Sequence, residues 1–589
     1  MANVVDISRV SFIVMREMRM PIIALIVVYA VSILGMVFIP GPVIDGKTQY
    51  MSIFHAFYFM TYTATTTGFG EIPIPFSDAQ RFWAIACLYV SVITWLYAIG
   101  SIIRLMQNPF FIRALSEWRF SRQVRKIPGP FFIICGFGDT GSVLTRGLSD
   151  YGKSAVIIDI DEERIKALQL RNYTVSMPGL CADAGVPKHL LEAGIRSRHC
   201  KAVVATTNNE ESNLKISALA RALNKNVGII TMSKVDVFEE SLVTLGGEVH
   251  IVDPFKTYAK VLAAAMHNPG FYALNNWLVR DREARLDKYV RPPQGTWIIC
   301  GYGRMGHEVN RVLTKYNMRT SIIDPDPKNT TKNEYIEHYI VGRTTAKTLS
   351  QAGIENSVGI IAATDDDGHN LGILLNARYF NKNLFTIARQ NRHHNAVAFN
   401  ASNVDMIMEP SLVTARKILF LLIAPLLKKF FGYLLANKPG RAAEMKQVIR
   451  LLRERIGKRN PHLITFDVDE EQSSALLEQL RAGKTVCLGD LQRDPRNREQ
   501  RLDMVVLVIK QGDQEYILPQ DDFKLKEGDQ ILFCSTRLAY RLFNATLNNE
   551  YNLFYVLEGK YLPRSSLVRW WLAKRGKKGL VPGRFKAEA

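Results

Sequence analysis

The chain has 589 residues, of which 47% are hydrophobic and 22% are charged, and its formal net charge is +20. This length allows several domains. Its 7 cysteines show no paired metal-ligand spacing and are typical of small buried residues in a reducing compartment. No nucleic-acid recognition motif accompanies the positive charge, so the sequence argues against nucleic acid as a partner.

Two runs near the N-terminus, Pro21–Ile39 and Phe82–Ile103, contain no charged residue. At 1.5 Å rise per residue each can cross a hydrocarbon core of about 30 Å, so both are predicted to be membrane-spanning helices. The first run is too long, and too poor in cleavage-site features, for a signal peptide. Residues 40–81 suffice for a short helix from about Met51 to Thr63, followed by a loop and a return strand.

The loop after that short helix contains closely spaced glycines. Gly68 and Gly70 tolerate unusual dihedrals, so successive carbonyl oxygens can point at one axis and replace the water around a potassium ion. The segment resembles the selectivity filter of the two-helix potassium channels. Aligned on its glycines, the family's Thr-Val-Gly-Tyr-Gly falls on Thr66, Thr67, Gly68, Phe69 and Gly70.

This resemblance implies a homotetramer that transports K⁺, because one chain supplies a quarter of each ring of oxygens. The filter departs from the family at Thr67 for valine, Phe69 for tyrosine and Glu71 for aspartate. The tyrosine hydroxyl braces the filter in that family, so a less selective monovalent cation channel is the alternative. The family's hinge glycine in the inner helix is replaced by Ser91, and the nearest glycine in the span is Gly100.

Basic residues are concentrated just after the second run. They are Arg104, Arg113, Arg119, Arg122, Arg125 and Lys126. The segment between the runs has only Lys47 and Arg81 as basic residues. The positive-inside rule therefore predicts a multi-pass protein of the cell (inner) membrane with both termini in the cytoplasm. Membrane lipid is an expected partner of this basic segment.

A glycine motif of the cytoplasmic part occurs twice. The segment Phe132–Gly141 recurs as Trp297–Gly306, at an offset of 165 residues (301 − 136). Each motif follows a short apolar run and precedes a second one that ends in an aspartate, Asp159 or Asp324. The cytoplasmic part is therefore a tandem duplication.

Each copy is typical of a dinucleotide-binding βαβ unit, in which glycines let a pyrophosphate approach a helix N-terminus and the aspartate holds a ribose hydroxyl. The candidate cofactor-binding residues are Gly136, Gly138, Asp139, Gly141 and Asp159 in the first copy and Gly301, Gly303, Arg304, Gly306 and Asp324 in the second. The alternative is that the glycines only pack helix against strand and no nucleotide binds.

With these motifs, residues 128 to 545 resemble the regulator-of-potassium-conductance (RCK) domains of the TrkA nucleotide-binding family. The resemblance implies NAD or another adenine nucleotide as ligand, and a ring of such domains that gates the pore. That family has a Gly-Asp pair after its third strand, but the corresponding places, Gly179-Leu180 and Gly342-Arg343, lack the acid. The family's arginine after the fifth strand is present in the second copy, as Arg389.

Asp365, Asp366 and Asp367 suggest a Ca²⁺ site, because some family members are gated by calcium through clustered carboxylates. Consecutive acids at a strand-to-helix turn point in different directions, so helix N-capping is preferred and no metal ligand is assigned. The apolar stretch Leu412–Leu435 contains Pro425 and several charges, and is interpreted as a crossover helix pair rather than a third span.

The predicted fold class is a membrane α-helical pore of two spans and a pore helix, followed by two α/β Rossmann-like RCK domains and a small α+β C-terminal subdomain. The domains are a cytoplasmic N-terminus (1–20), an ion-channel pore domain (21–105), a linker (106–127), two Rossmann domains (128–290 and 291–457), the C-terminal subdomain (458–545) and a basic tail (546–589). The tail is interpreted as solvated or as a membrane-surface helix.

The sequence therefore predicts a ligand-gated potassium channel and not an enzyme. A membrane-attached NAD-dependent oxidoreductase would account for the glycine motifs, but it would need a substrate domain and leaves Thr66–Gly70 unexplained. A regulatory subunit of a separate transporter would account for the RCK resemblance, but it would not carry its own pore.

Overall fold

The computed structural model of the chain describes residues 2–44, 46–69, 75–233, 240–242, 244, 246–278, 286, 289–327, 334–436, 441–458 and 461–560. The chain divides into two compact units. The N-terminal unit comprises residues 1–127 with 192–194, and the C-terminal unit comprises residues 128–191 and 195–589. Gly70, Glu71 and the predicted basic tail beyond residue 560 lie outside the described residues.

The N-terminal unit is built from helices. They are Ala2–Phe38, Ile53–Ala64, Asp78–Gln107 and Pro109–Arg125, with a hairpin of β1 (Val43–Ile44) and β2 (Lys47–Thr48) after the first. Ser11–Phe38 and Asp78–Gln107 are long and apolar enough to cross a membrane, which supports a membrane protein. The Ile53–Ala64 helix confirms the short helix predicted between the spans, and the Ser52 hydroxyl caps it by accepting from the His55 backbone N–H.

The two long helices pack against each other through a glycine. A Cβ atom at Gly35 would lie 2.2 Å from the ring of Trp83, so a larger residue could not be placed there without moving the indole. The Trp83 indole N–H donates to the Ser32 carbonyl at 3.2 Å, which satisfies this donor inside an apolar contact. Ala56 and Met60 of the short helix are buried in the same cluster, so the short helix and the long helices share one core.

Two six-stranded parallel sheets form the two copies of the duplication. Their strand orders are β5-β4-β3-β6-β7-β8 and β11-β10-β9-β12-β13-β14. The first sheet consists of β3 (Phe131–Cys135), β4 (Ser154–Asp159), β5 (Gly179–Cys181), β6 (Cys200–Ala205), β7 (Gly228–Met232) and β8 (Val249–Val252). The second consists of β9 (Trp297–Cys300), β10 (Thr320–Asp324), β11 (Ile336–Val341), β12 (Gly359–Ala362), β13 (Phe385–Arg389) and β14 (Met406–Met408).

Helices alternate with these strands in both copies. In the first copy they are Asp139–Asp150, Glu162–Leu170, Pro187–Glu192 and Glu210–Leu223. In the second they are Arg304–Lys315, Ala346–Gln351, Asp367–Phe380 and Ala396–Ala401, with 3-10 turns at Ile354–Asn356 and His393–Asn395. In each sheet the strand order reverses beside the first strand, which is where ligands bind in open α/β sheets.

The two copies exchange helices. Pro254–His267 of the first copy packs against Arg304–Lys315 of the second, and Pro410–Ile423 of the second packs against Asp139–Asp150 of the first. We call Pro254–His267 and Pro410–Ile423 the exchanged helices. A Cβ atom on Gly147 would lie 2.8 Å from Leu419, which shows how closely the second contact packs.

Pro410–Ile423 and the next helix, Leu427–Leu435, meet at an angle of 107°. Their buried side chains, among them Ile418 and Phe430, belong to the core of the first Rossmann domain and the C-terminal subdomain. This burial supports the interpretation of Leu412–Leu435 as a crossover pair and leaves a third span without support. The corresponding second helix of the first copy is Pro269–Leu278.

The C-terminal subdomain follows the helix Arg441–Arg455. It contains an antiparallel sheet of order β15-β20-β18-β19 and a separate β16-β17 hairpin. The strands are β15 (His462–Asp467), β16 (Arg493–Asp494), β17 (Asn497–Arg501), β18 (Met504–Gln511), β19 (Gln514–Ile517) and β20 (Gln530–Ser535). The helices are Ser474–Arg481, Leu488–Leu491, Arg537–Asn548 and Glu550–Glu558. The predicted fold class is confirmed.

Candidate functional site

The backbone turns sharply after the short helix of the N-terminal unit. Thr66 has φ +58° and Gly68 has φ +62°, both in the left-handed region. The backbone N–H groups of Thr67 and Gly68 both donate to the Tyr62 carbonyl, at 3.0 and 3.3 Å. Because these two N–H groups are hydrogen-bonded to the last turn of the helix, the chain changes direction at this point. Carbonyl oxygens of such a turn can bind an ion.

Aromatic packing supports this turn. The Phe69 ring meets the Tyr62 ring edge to face, with centroids 6.4 Å apart. The hydroxyls of Thr65 and Thr67 lie 2.8 Å apart and share a hydrogen bond. Phe69 therefore contacts the short helix through its ring, at the position where the potassium-channel family has a tyrosine hydroxyl.

The first and third glycines of each glycine motif are required by packing. Gly136 and Gly301 have φ of +104° and +93°, and a Cβ on Gly136 would lie 2.9 Å from the Thr206 carbonyl oxygen. A Cβ on Gly141 or Gly306 would lie 2.0 or 2.3 Å from the carbonyl oxygen of the first glycine of its own motif. Packing within the protein therefore explains these four glycines without any ligand. This is the alternative stated above, in which the glycines only pack helix against strand.

The middle glycines are not explained in that way. Gly138 and Gly303 have φ of −72° and −74°, which other residues adopt readily. A Cβ on Gly303 would meet nothing within 4 Å, and one on Gly138 would meet only the Arg164 guanidinium at 3.6 Å. Each of these glycines begins a helix whose N-terminal N–H groups are available to an anion. An open approach to a helix N-terminus is what a pyrophosphate needs.

Each predicted ribose-binding aspartate braces its own glycine loop. Asp159 accepts from the backbone N–H of Phe137 at 2.5 Å and from that of Asp161 at 2.8 Å. Asp324 makes the same two bonds, from Tyr302 at 2.5 Å and from the N–H two residues after it at 2.8 Å. Both aspartates are 5% exposed. Both aspartates therefore have a structural role that the sequence did not reveal.

A buried asparagine clamps the carboxyl ends of two strands in each copy. The Asn370 side chain accepts from the Thr364 N–H and hydroxyl and donates to the carbonyls of Thr364 and Arg389. Asn213 makes the equivalent four bonds, with Thr207 and Met232. The clamp fixes the backbone at the end of the fifth strand, next to the glycine loop.

Two arginines of the second copy converge beside its glycine loop. The guanidinium carbons of Arg304 and Arg389 lie 5.2 and 5.0 Å from the ring centroid of Phe255, which belongs to the exchanged helix of the first copy. Arg389 forms an ion pair with Asp365, yet its buried Nε has no hydrogen-bond partner in the described part of the chain. Burial lowers the pKa of Arg389 and Arg304 lowers it further, while Asp365 opposes them.

The first copy also contributes an acid to this cluster. Glu210 Oε1 lies 3.7 Å from Arg304 Nη1, and the Ser233 hydroxyl donates to the other Glu210 oxygen at 3.4 Å. Arg304 is about half exposed and Glu210 is mostly buried, with side-chain exposures of 52% and 18%. Sequence analysis missed Glu210 and Phe255, because nothing local indicates that they reach the glycine loop of the other copy.

The first copy presents different charges at the same positions. Asp139 stands where the second copy has Arg304, and Met232 ends the fifth strand where the second copy has Arg389. Arg164 lies 3.6 Å from the Asp159 carboxylate, and the Arg171 guanidinium carbon lies 5.6 Å from the ring centroid of Phe137. The two copies therefore differ in the charge of the residue that follows the middle glycine.

One sequence assignment of the first copy was wrong. Gly179 begins β5 instead of following it, so the place after the third strand is occupied by Ala182 and Asp183. Burial raises the pKa of the Cys135 thiol at the end of β3, and the negative charge of Asp183 contributes to that rise. The first copy thus has an acid after its third strand. In the second copy, Gly342 and Arg343 do follow β11.

The three consecutive aspartates have separate partners. Asp366 caps the helix Asp367–Phe380 by accepting from the His369 N–H at 2.7 Å, and Asp365 pairs with Arg389. Burial would raise the pKa of Asp367, but hydrogen bonds, chiefly from Asn391, hold it below its ordinary value. No group of three or more His, Cys, Asp or Glu residues that could hold a metal occurs among the described residues. The capping interpretation is confirmed for Asp366.

Two protein families match the chain. The ion-channel family matches residues 22–108, and the TrkA-N domain matches residues 132–253 and 297–410. The chain joins one ion-channel domain to two TrkA-N domains. The TrkA-N matches begin in β3 and β9, immediately before the two glycine motifs, so each match contains one candidate nucleotide site.

Curated relatives match parts of this channel and TrkA-N arrangement. An uncharacterized protein of Methanothermus fervidus is 28% identical over 209 residues, 35% of this chain and 31% of the relative. Potassium channel protein 1 of Methanocaldococcus jannaschii is 24% identical over 265 residues, 44% of this chain and 78% of the relative. The voltage-gated potassium channel Kch of Escherichia coli is 26% identical over 180 residues, 30% of this chain and 40% of the relative. The chain thus spans less than two thirds of the first and third of these relatives.

A solved structure covers most of the chain. The GsuK channel bound to NAD is 16% identical, with a TM-score of 0.47, and the similarity covers 92% of this chain and 99% of that one. The GsuK structure bound to ADP is 20% identical, with a TM-score of 0.43 over 70% of this chain and 99% of that one.

We expect Asp324→Asn to loosen the second glycine loop. An amide in place of the carboxylate would turn its NH₂ group toward one of the two backbone N–H donors, so at least one hydrogen bond is lost. The expected cost is about 1 to 3 kcal/mol, which lowers the melting temperature of a domain of this size by several degrees. Thermal melting of the detergent-solubilised full chain measures it. Asp513→Asn, in the exposed β18–β19 turn, removes the same charge as a control, and equal melting of both variants would contradict the brace.

Proposed function

We propose that this chain forms a potassium-selective channel whose opening is controlled by nucleotide binding at its two TrkA-N copies. The observation that carries the proposal is the left-handed backbone at Thr66 and Gly68, at the end of a short helix between two helices that can span a membrane. The ion-channel family match and the potassium channel proteins among the relatives support it. The proposed filter is Thr66 to Gly70.

We propose that the channel lies in the cell (inner) membrane with both termini in the cytoplasm. The basic segment after the second span favours this orientation. The two copies then act on the pore through the linker 106–127. A nucleotide shifts opening only by binding one arrangement of the two copies more tightly than another. Purified protein should show no NADH turnover. The rival assignment as an NAD-dependent oxidoreductase requires such turnover, so this measurement separates the two assignments.

Gly68→Ala should abolish potassium flux in liposomes. An alanine at φ +62° costs about 1 to 2 kcal/mol, and the chain can escape this cost only by moving the carbonyls of the filter. Gly46→Ala is the matched control, because Gly46 also has positive φ, +77°, and also has open space at its Cβ. The control should conduct potassium far better than sodium, like the wild type. Equal potassium and sodium flux through the wild type would refute selectivity.

The proposed assembly is a homotetramer, because each chain supplies one quarter of the oxygens around an ion. Four chains then bring eight TrkA-N copies, which we propose form a ring of alternating first and second copies. Mass measurement in detergent should give about four times 66.6 kDa plus bound detergent. A stable dimer would eliminate the assembly, since two filter strands cannot surround an ion.

We propose that NAD or another adenine nucleotide binds the glycine loops, with its phosphates at the helix N-termini that begin at Asp139 and Arg304. The open Cβ space at Gly138 and Gly303 supports this placement. In the second copy Arg304 and Arg389 would meet the phosphates, which favours a polyphosphate such as ADP there. Arg304 would then exchange its contact with Glu210 for a contact with the ligand.

Two substitutions at this contact should have opposite effects on ADP binding, measured by calorimetry on the full chain. Arg304→Gln removes a charge-assisted hydrogen bond and should weaken binding at the second site about 10- to 100-fold. Glu210→Gln removes the competing anion and should tighten binding about two- to fivefold. Arg311→Gln, on the exposed side of the same helix, is the control. If ADP binds but open probability in bilayers is unchanged, the site does not gate the pore.

A further inference from the structure

A second candidate site lies between the exchanged helices. A cavity of about 2020 Å³ is bounded by Pro254–His267 of the first copy and by Pro410–Ile423 and Leu427–Leu435 of the second. Ordinary small-molecule sites measure about 300 to 1,000 Å³, so this cavity can hold a ligand together with water. None of the candidate glycine-loop residues lines it.

Three lysines without an anionic partner among the described residues line this cavity. They are Lys260, Lys417 and Lys428, and they come from both copies. In the described part of the chain none of the three forms an ion pair with a carboxylate. Burial lowers the pKa of the Lys417 ammonium, and the charges of Lys260 and Lys428 lower it further. Neighbouring ammonium groups lower one another's pKa by repulsion, and an anion placed among them stabilises their charged forms.

Most acids of the same wall are already engaged. Asp253 accepts from two backbone N–H groups at the start of its helix, at 2.7 and 3.1 Å. Asp405 accepts from the backbone and the hydroxyl of Thr386, both at 2.8 Å. Glu409 lies 3.1 Å from His393 Nδ1. None of these three acids forms an ion pair with Lys260, Lys417 or Lys428 in the described part of the chain. The lysines and arginines that line the cavity outnumber its four acids, so the cavity has an excess of positive charge.

A buried donor also lines the cavity. Tyr258 is 4% exposed, and its hydroxyl has no hydrogen-bond partner among the described residues. A buried hydroxyl without a partner is unfavourable, and a ligand acceptor would remove this cost. Phe271 and Phe420 add apolar surface to the same wall. The combination suits a ligand that has several anionic oxygens and an apolar part.

We propose that this cavity binds a phosphate-bearing ligand of at least two negative charges, with its oxygens among Lys260, Lys417 and Lys428 and one oxygen accepting from Tyr258. Its walls come from both copies, so a bound ligand would hold the exchanged helices at one separation. The source of the phosphate is a soluble phosphate ester or a phospholipid headgroup, which share this chemistry. This site is independent of the proposed nucleotide sites.

The test uses pyrophosphate and the full chain in detergent, in an Arg304→Gln background that weakens binding at the second glycine loop. Pyrophosphate should raise the melting temperature and bind measurably by calorimetry. Lys417→Gln/Lys428→Gln should weaken that binding by about tenfold or more. The same pair should not lower the melting temperature without pyrophosphate, because it removes repulsion. Lys225→Gln/Lys382→Gln, at exposed positions outside the cavity, is the charge-matched control.

Tyr258→Phe keeps the shape of the side chain and should weaken pyrophosphate binding about two- to tenfold. Nanodiscs of phosphatidic acid, whose phosphomonoester can carry two negative charges, and of phosphatidylcholine separate the two sources. A lysine-dependent preference for phosphatidic acid that competes with pyrophosphate indicates a lipid headgroup, and lysine-dependent pyrophosphate binding without that preference indicates a soluble ligand. Pyrophosphate binding that is equal in the lysine variant and its control would overturn the proposal, as would the absence of binding.

Discussion

The reciprocal packing of the exchanged helices is the contact on which the C-terminal unit depends. Each glycine-loop helix buries one face against a helix supplied by the other copy. Arg304–Lys315 is covered by Pro254–His267, and Asp139–Asp150 is covered by Pro410–Ile423. Packed interiors transmit small displacements, so a nucleotide bound as proposed at either helix N-terminus would act on the other copy through this contact.

The same contact explains why the two sites differ in character. Phe255 and Glu210 of the first copy reach the second glycine loop and meet Arg304 there. The first copy instead has Asp139 at its helix N-terminus, where a positive dipole end favours an acid without any ligand. The first site thus has an acid at its helix N-terminus, while the second has two arginines, and the buried Nε of Arg389 has no hydrogen-bond partner among the described residues.

Local features were predictable from the sequence, and contacts between distant segments were not. The spans and the glycine motifs follow from charge, length and spacing within a few residues, and the filter assignment is what the resemblance to the two-helix potassium channels implies. Glu210 lies almost a hundred positions from Arg304, so no periodicity joins them. The placement of Gly179 failed because β5 has only three residues and gives no strand pattern to mark its end. The bracing role of Asp324 was hidden because the same residue type also fits the ribose contact.

Covalent fusion of the copies has a consequence for symmetry. A domain that is encoded once would pair with an identical copy of itself. The two sites of that pair would then be identical and would bind the same ligand. Here the two halves are held at the high effective concentration of a single chain, so every pair contains one loop with Asp139 and one with Arg304. In the proposed tetramer each of the four chains would carry two unlike nucleotide sites, and one channel would respond to two different ligands.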